Sequence, residues 1–345
     1  MKKTLAISAA VIFISIIINF YYFIPSSYVA KNQGTVLDDN WFEALTWINK
    51  NTEECAVIAT YWDPGHFITG IARRPVVFDG ASQGDKIFST DNSYNLSPGE
   101  IKTGEHDNGI VQITRKIDEP YWIDYISKHY SQYLNGTERA RIKDIAISLF
   151  TSNESLALKY LKDYRQPGCE EFYYIASSDL IGKSTWWTYF ATWSPEGSPK
   201  PCTQELNKGS CYSYLNAGLQ QARPSPDGSI IYIYPFAAQQ SFLIYETNGT
   251  KRAFLQQGNK VAGVRNLLYF TQSQGLMTTN ENAEVPGLLI QSPDRGNIIF
   301  MPPELQNSMF TKLMFFDGAG LEHFRLVNNW GGEVKLYKVT FPEDK

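Results

Sequence analysis

From residue 4 to residue 24 the chain is almost continuously apolar, interrupted by Thr4, Ser8, Ser15, Asn19, Tyr21 and Tyr22. At about 1.5 Å per residue, such a run suffices for one bilayer crossing. Lys2 and Lys3 ahead of it favour a cytoplasmic N-terminus with residues 31–345 outside, and Tyr21 and Tyr22 then sit as interfacial aromatics. A cleaved signal peptide has a shorter apolar core and a small-x-small cleavage site, which Tyr28-Val29-Ala30 matches poorly. Residues 1–30 are therefore expected to be an uncleaved anchor. No other segment is long and apolar enough to cross.

After the anchor the pattern alternates. Residues 38–49 place Trp41, Leu45 and Ile48 at helical spacing behind Asp38, Asp39 and Asn40 as caps, and Asn49-Lys50-Asn51 ends that helix. Residues 56–61 read as a buried strand, 66–72 as a short helix and 75–78 as a second strand, the opening of a right-handed parallel unit. The polar, turn-rich stretch 81–110 is longer than a compact connection and reads as an external loop. Helices are predicted over 138–150 and 154–165, the second capped by Ser152 or Asn153, and 172–178 supplies a third buried strand. Beyond Cys211 the period becomes two: 229–235, 241–246, 252–257, 266–272, 287–292, 297–302, 323–329 and 333–341 are short runs punctuated by Gly, Asn, Asp and Pro, interrupted by one helix over 303–316. The expected fold is α/β plus β. An α/β domain over 36–205 with a short, mainly parallel sheet is followed by a β-rich antiparallel lobe over 206–345.

Composition narrows the class. With 21 Tyr, 20 Phe and 8 Trp in 345 residues, and 43% of positions hydrophobic, the part outside the membrane has material for a large core. A formal net charge of −4 with interleaved signs offers no basic face for nucleic acid. Four cysteines in an oxidising place suggest disulfides. Cys202 and Cys211 bracket a polar loop and form the firmer pair. Cys55 and Cys169 each precede a strand, and would bridge if those strands are parallel neighbours; two reduced core cysteines fit the spacing equally well. Glycosylation sequons stand at Asn95, Asn135, Asn153 and Asn248 and carry meaning only where N-glycosylation occurs.

Ligands of an open parallel sheet bind beyond the carboxyl ends of its strands, where Asp63 and Asp179 fall. Each is explicable as a helix N-cap, Asp63 with Pro64 in the favoured first helical position. Capping does not require Tyr61 and Trp62 just before Asp63, an aromatic pair able to pack on a ligand and to donate hydrogen bonds. His66, His106, His129 and His323 share no metal-ligand spacing, the cysteines lack CxxC, and no GxSxG, Walker or GxGxxG motif occurs. Asp38-Asp39 and Glu170-Glu171 are solvated ends and not a glycosidase pair.

The stretch from Trp41 to Gly80, with Tyr61-Trp62-Asp63-Pro64-Gly65 at its centre, resembles the start of the extracytoplasmic domain of the oligosaccharyltransferase catalytic subunit, whose signature is Trp-Trp-Asp-Tyr-Gly. SSDLIGKSTWWTYFATW is similar to that family's second motif, at Asp179 and Lys183 with Trp186 as the apolar follower, and residues 308–341 resemble its C-terminal end. The resemblance implies that Tyr61, Trp62, Asp63, Asp179, Lys183 and Trp186 bind an acceptor polypeptide, with the aromatic-aromatic-Asp triplet reading the hydroxyl of Asn-x-Ser/Thr. It further implies a transferase that passes lipid-linked oligosaccharide to asparagine, using Mn²⁺ or Mg²⁺ held by carboxylates of external loops between other membrane-spanning segments. Those segments are expected in a separate multi-span chain, leaving this polypeptide without cofactor, metal or catalytic residues of its own. The alternatives are a non-catalytic membrane-anchored binding or assembly protein that kept the fold, and an independent glycan-binding or hydrolytic enzyme.

Overall fold

A computed structural model describes residues 37–77, 79, 86–90, 110–113, 134–166, 168–192 and 212–342. The expected anchor over residues 1–30 and the Cys202–Cys211 pair lie outside the described residues. Among the described residues no helix is long and apolar enough to cross a membrane. The chain divides into two compact units at Phe42, within its first described helix.

That helix, α1 (Asp39–Asn51), begins where the Asp38 carboxylate accepts the Trp41 N–H at 2.8 Å, and it buries Ala44, Leu45 and Ile48. Strand β1 (Val57–Ala59) follows, fully buried. Next come α2 (Trp62–Phe67) and a π-helical turn, Ile68–Ala72. Arg73 closes that turn in the left-handed region at φ 54°. The strand expected over 75–78 reduces to one parallel bridge, Ile58 with Val76.

Strands β2 (Lys86–Thr90), β3 (Ile110–Ile113) and β4 (Leu134–Ala140) form a small antiparallel sheet in the order β3-β2-β4. Part of the stretch read as an external loop is therefore strand. The helix expected from 138 starts at Arg141 instead, because Glu138, Arg139 and Ala140 are paired to β2. Helices α3 (Arg141–Phe150) and α4 (Glu154–Leu161) precede β5 (Phe172–Ser177) and α5 (Leu180–Thr192). Asn153 caps α4 by accepting the Leu156 N–H at 3.2 Å.

The β-rich part contributes β6 (Leu215–Gly218), β7 (Gln221–Pro224), β8 (Ile230–Ala237), β9 (Gln240–Thr247), β10 (Thr250–Gln257), β11 (Lys260–Thr271), β12 (Gly275–Asn280), β13 (Val285–Gln291) and β14 (Asn297–Met301). They form one nine-stranded sheet in the order β6-β14-β13-β11-β10-β9-β8-β7, with β12 paired to β11. It is antiparallel except for β11 and β13, which run parallel because the hairpin strand β12 returns the chain between them. The helix expected over 303–316 is broken into α6 (Pro303–Gln306) and α7 (Met309–Phe316) at Asn307 and Ser308, where the Ser308 hydroxyl caps α7.

The last hairpin, β15 (Phe324–Trp330) and β16 (Val334–Val339), leaves the β-rich sheet and joins the first one, giving β1-β5-β16-β15. That sheet has a single parallel pair of strands, β1 with β5, so it is mixed and not mainly parallel. Burial explains the choice: β16 puts Tyr337 and Val339 into the cluster of Phe172 and Tyr174 and buries Val334 and Leu336 as well, so only Lys338 of the strand is part-exposed, which suits a central strand and not an edge of the other sheet.

Two apolar clusters stand out among the described residues. One surrounds β1, β5 and β16 and takes in α3, α4, α5 and α7; the other lies within the nine-stranded sheet around Tyr234, Phe242, Ile244 and Leu289. At the amino ends of β1 and β5, Cys55 and Cys169 form a disulfide with Cα atoms 5.9 Å apart. Parallel pairing, with Val57 opposite Phe172, brings those sulfurs to one edge.

Candidate functional site

The parallel register that joins the cysteines at one edge aligns the carboxyl ends of β1 and β5 at the other, with Ala59 opposite Tyr174. Each strand then turns into a helix: β1 through Thr60 and Tyr61 into α2, β5 through Ser178 and Asp179 into α5. Two helix starts therefore face one another beyond the sheet, the place where α/β sheets present ligand groups.

Local geometry decides between the two readings of Asp63. The N-cap position of α2 is Tyr61, with φ −71° and ψ 171°, and no side chain caps it. Asp63 lies one residue inside the helix and its Oδ2 accepts from the Lys183 ammonium at 3.0 Å. Capping of its own helix is thus not what Asp63 does. Its Oδ1 accepts no bond among the described residues. The side chains of Asp63, Asp179 and Lys183 each keep 41% of their surface in water, so the carboxylate is reachable from outside.

Asp179 is held more firmly. Its Oδ2 accepts from Lys183 at 3.2 Å, one helical turn on, and from the Tyr61 hydroxyl, while Oδ1 accepts from the Ser177 hydroxyl at 2.7 Å. Loss of surrounding water raises the Asp179 carboxyl above its ordinary value, against the opposing pull of the Lys183 charge. Burial alone would lower Lys183, but its bonds to Asp63 and Asp179 outweigh that and raise it. The three groups sum to one net negative charge, an arrangement that accepts hydrogen bonds and repels phosphate.

Aromatic side chains wall the site. Tyr61 is 1% exposed, with its ring edge-on to Trp187 at 5.8 Å and beneath the Lys183 ammonium at 5.3 Å. Trp62 is half-buried and meets Trp187 at 6.1 Å and Phe190 at 6.4 Å. Lys183, Trp187 and Phe190 follow each other on one face of α5. Tyr61, Trp62, Asp63, Asp179 and Lys183 thus come together. Trp186, the sixth residue singled out from the sequence, is 68% exposed, and it is the neighbouring Trp187 that touches Tyr61 and Trp62. Trp187, Phe190 and Ser177 were not anticipated; helical spacing from Lys183 was the available signal for the first two.

Among the described residues, the one group of acid and sulfur side chains close enough to share an ion is Glu53, Cys55 and Cys169, and the disulfide occupies both sulfurs. These donors do not fit Mn²⁺ or Mg²⁺, which take oxygen ligands. His66 is exposed and faces Asp79 at 3.7 Å.

No family model matches the chain. It is related in sequence to archaeal oligosaccharyltransferases. A dolichyl-phosphooligosaccharide-protein glycotransferase of Methanocaldococcus jannaschii is 26% identical over 349 residues, 92% of this chain and 36% of that protein. One from Methanococcus voltae is 23% identical over 352 residues, 84% of this chain and 35% of that protein. The chain therefore spans about a third of the length of these relatives. Among solved structures, the C-terminal domain of C. jejuni pglb is similar at a TM-score of 0.45 with 11% identity, covering 87% of this chain and 99% of that one.

Proposed function

We propose, starting from the likeness to dolichyl-phosphooligosaccharide-protein glycotransferases, that this chain is the extracytoplasmic part of an oligosaccharyltransferase that reads the acceptor sequon Asn-x-Ser/Thr. Asp63 Oδ1 accepts the hydroxyl of the Ser or Thr, Lys183 holds the other oxygen of that carboxylate in place, and Trp62 offers the apolar surface beside it. Tyr61 acts as a positioning residue: its hydroxyl fixes Asp179, which in turn fixes Lys183. Trp186 is placed to meet the acceptor from the exposed side of α5.

The observation that carries this reading is a half-exposed carboxylate at a sheet's carboxyl edge with one oxygen tied to a lysine and the other open. A hydroxyl donating to a charged acceptor contributes about 1.5–3 kcal/mol, enough to separate threonine from alanine at that position. The transfer step itself is assigned to polypeptide outside residues 37–342, where Mn²⁺ or Mg²⁺ carboxylates and the lipid-linked oligosaccharide are held. Its localisation would be extracytoplasmic, tethered through residues 1–30.

Binding of two peptides differing only in Asn-Gly-Thr against Asn-Gly-Ala tests this. The threonine peptide is expected to bind about tenfold or more tightly, and Asp63→Ala to erase the difference. Equal binding of both peptides by the unaltered chain would leave only a tethered scaffold or assembly protein.

A further inference from the structure

One of the chain's own sequons stands out from the others by its geometry. Asn248-Gly249-Thr250 forms the tip of the β9–β10 hairpin, where Thr247 pairs with Thr250 and the two residues between them have positive φ, 52° at Asn248 and 79° at Gly249. This is the two-residue turn that Asn-Gly favours. Thr247, Asn248, Gly249 and Thr250 are all exposed, and neither the Asn248 amide nor the Thr250 hydroxyl is engaged among the described residues.

Asn153 presents the contrast. Its Oδ1 accepts the Leu156 N–H at 3.2 Å, its own N–H donates to the Thr151 hydroxyl at 3.1 Å, and its carbonyl accepts from Ala157 at 3.2 Å. Lifting that sequon into a transferase dismantles the cap of α4. Presenting Asn248 opens only the terminal ladder pair beside an exposed turn, where no buried contact holds residues 247–250. Asn95 lies outside the described residues, and of β4, which contains Asn135, only the backbone is described.

We infer that Asn248 is an N-linked glycan acceptor of this chain, selected over Asn153 by the fold. The inference rests on the extracytoplasmic placement in the reading above. The donor is a polyprenyl-phosphate-linked oligosaccharide. Asn248 Nδ2 forms a bond to the anomeric carbon and the bond from that carbon to the phosphate oxygen breaks. The lipid phosphate leaves with the electron pair, and Nδ2 yields one proton to a base of the transferase.

The test is peptide mass spectrometry on the full chain, made in an archaeal host that N-glycosylates exported proteins, with an unstructured C-terminal Asn-Gly-Thr tail as a compartment control. Ser155→Thr is included so that Asn153 and Asn248 carry the same hydroxyl type. Occupancy of Asn248 is expected to exceed that of Asn153 by about fivefold, the equivalent of a lost helix cap at ~1 kcal/mol. Thr250→Val should abolish it while leaving the tail modified. A glycosylated tail with bare Asn248, or equal occupancy at Asn153, overturns the inference and leaves the acceptor-site reading intact. A bare tail overturns the inference through its compartment premise, whereas failure of the peptide-binding experiment would strike the acceptor site alone.

Discussion

Replacing Tyr61 by Phe removes one oxygen from a ring that otherwise keeps its place, 1% exposed and edge-on to Trp187 at 5.8 Å. The lost bonds are the one its hydroxyl donates to Asp179 and a long one it accepts from the Ser177 hydroxyl at 3.4 Å. A hydrogen bond to a charged acceptor is worth about 1.5–3 kcal/mol when buried. Here Asp179 retains Ser177 at 2.7 Å and Lys183 at 3.2 Å, and with 41% of its side-chain surface in water a solvent molecule can replace the missing donor. The expected loss is therefore about 1 kcal/mol in urea unfolding followed by tryptophan fluorescence. Tyr61→Ala, which empties the space under Trp187, should cost about 3–5 kcal/mol. The pH dependence has a definite sign. Asp179 is raised in the folded state, so its contribution to stability is full below its unfolded value and is lost as pH rises through the folded one. The Tyr61 hydroxyl favours the charged form, so the difference between Tyr61→Phe and the unaltered chain should be largest at neutral pH and shrink in acid. A phenylalanine variant as damaging as the alanine one, or a difference that grows in acid, would refute the lock between Tyr61 and Asp179.

Other outcomes follow from the same coordinates. Cys55→Ala with Cys169→Ala opens a bridge across 114 residues, for which chain entropy gives about 4.8 kcal/mol; residual structure in the unfolded chain lowers this, and a loss of about 2–5 kcal/mol is expected by urea titration. Arg74, 6% exposed, donates to Thr52 Oγ1 at 2.9 Å and to the carbonyls of Asn49 and Thr52 at 2.7 Å each, closing the end of α1. Arg74→Met should cost about 2–4 kcal/mol, and Arg74→Lys should recover less than half of it because an ammonium cannot span that fork. Lys251, 1% exposed, is lowered by burial despite Glu246 at 3.6 Å. The folded chain then binds fewer protons than the unfolded one between the lowered value and the ordinary 10.5. Stability should rise with pH in that window, and Lys251→Met should flatten the rise; a fall across the same range would contradict the assignment.

Much of this architecture was legible in local pattern. The apolar runs at 57–59 and 172–177, the stripe of α1 and the period-two runs of the β-rich sheet all specify their element from neighbours in sequence. What stayed hidden depends on partners far along the chain. Nothing local assigns Leu134–Ala140 to a strand until Lys86 is opposite Ala140, and nothing in β16 says that it will lie against β5, over 150 residues earlier, and not against the sheet it follows. The site shows the same division. Asp63 and Asp179 were visible because two strands end in the same way, Tyr61 and Trp62 because helix capping does not call for them, and Lys183 only through the family resemblance. The choice of Trp187 over Trp186 was not, since adjacent helical residues point about 100° apart and only contact with Tyr61 and Trp62 selects between them. Tyr61 was expected in the pocket as a reader, but its burial turns its hydroxyl inward to Asp179.

The central claim, that Asp63 accepts a hydrogen bond from an acceptor hydroxyl, is tested most directly with a peptide whose threonine is replaced by O-methylthreonine. That change deletes the donor and keeps the γ-methyl and the oxygen, while adding one methyl group to that oxygen. Isothermal titration of the full chain should show affinity reduced by about 10-fold to 100-fold relative to the threonine peptide, with Asp63→Ala binding both alike. Equal affinity of the two peptides for the unaltered chain would contradict it.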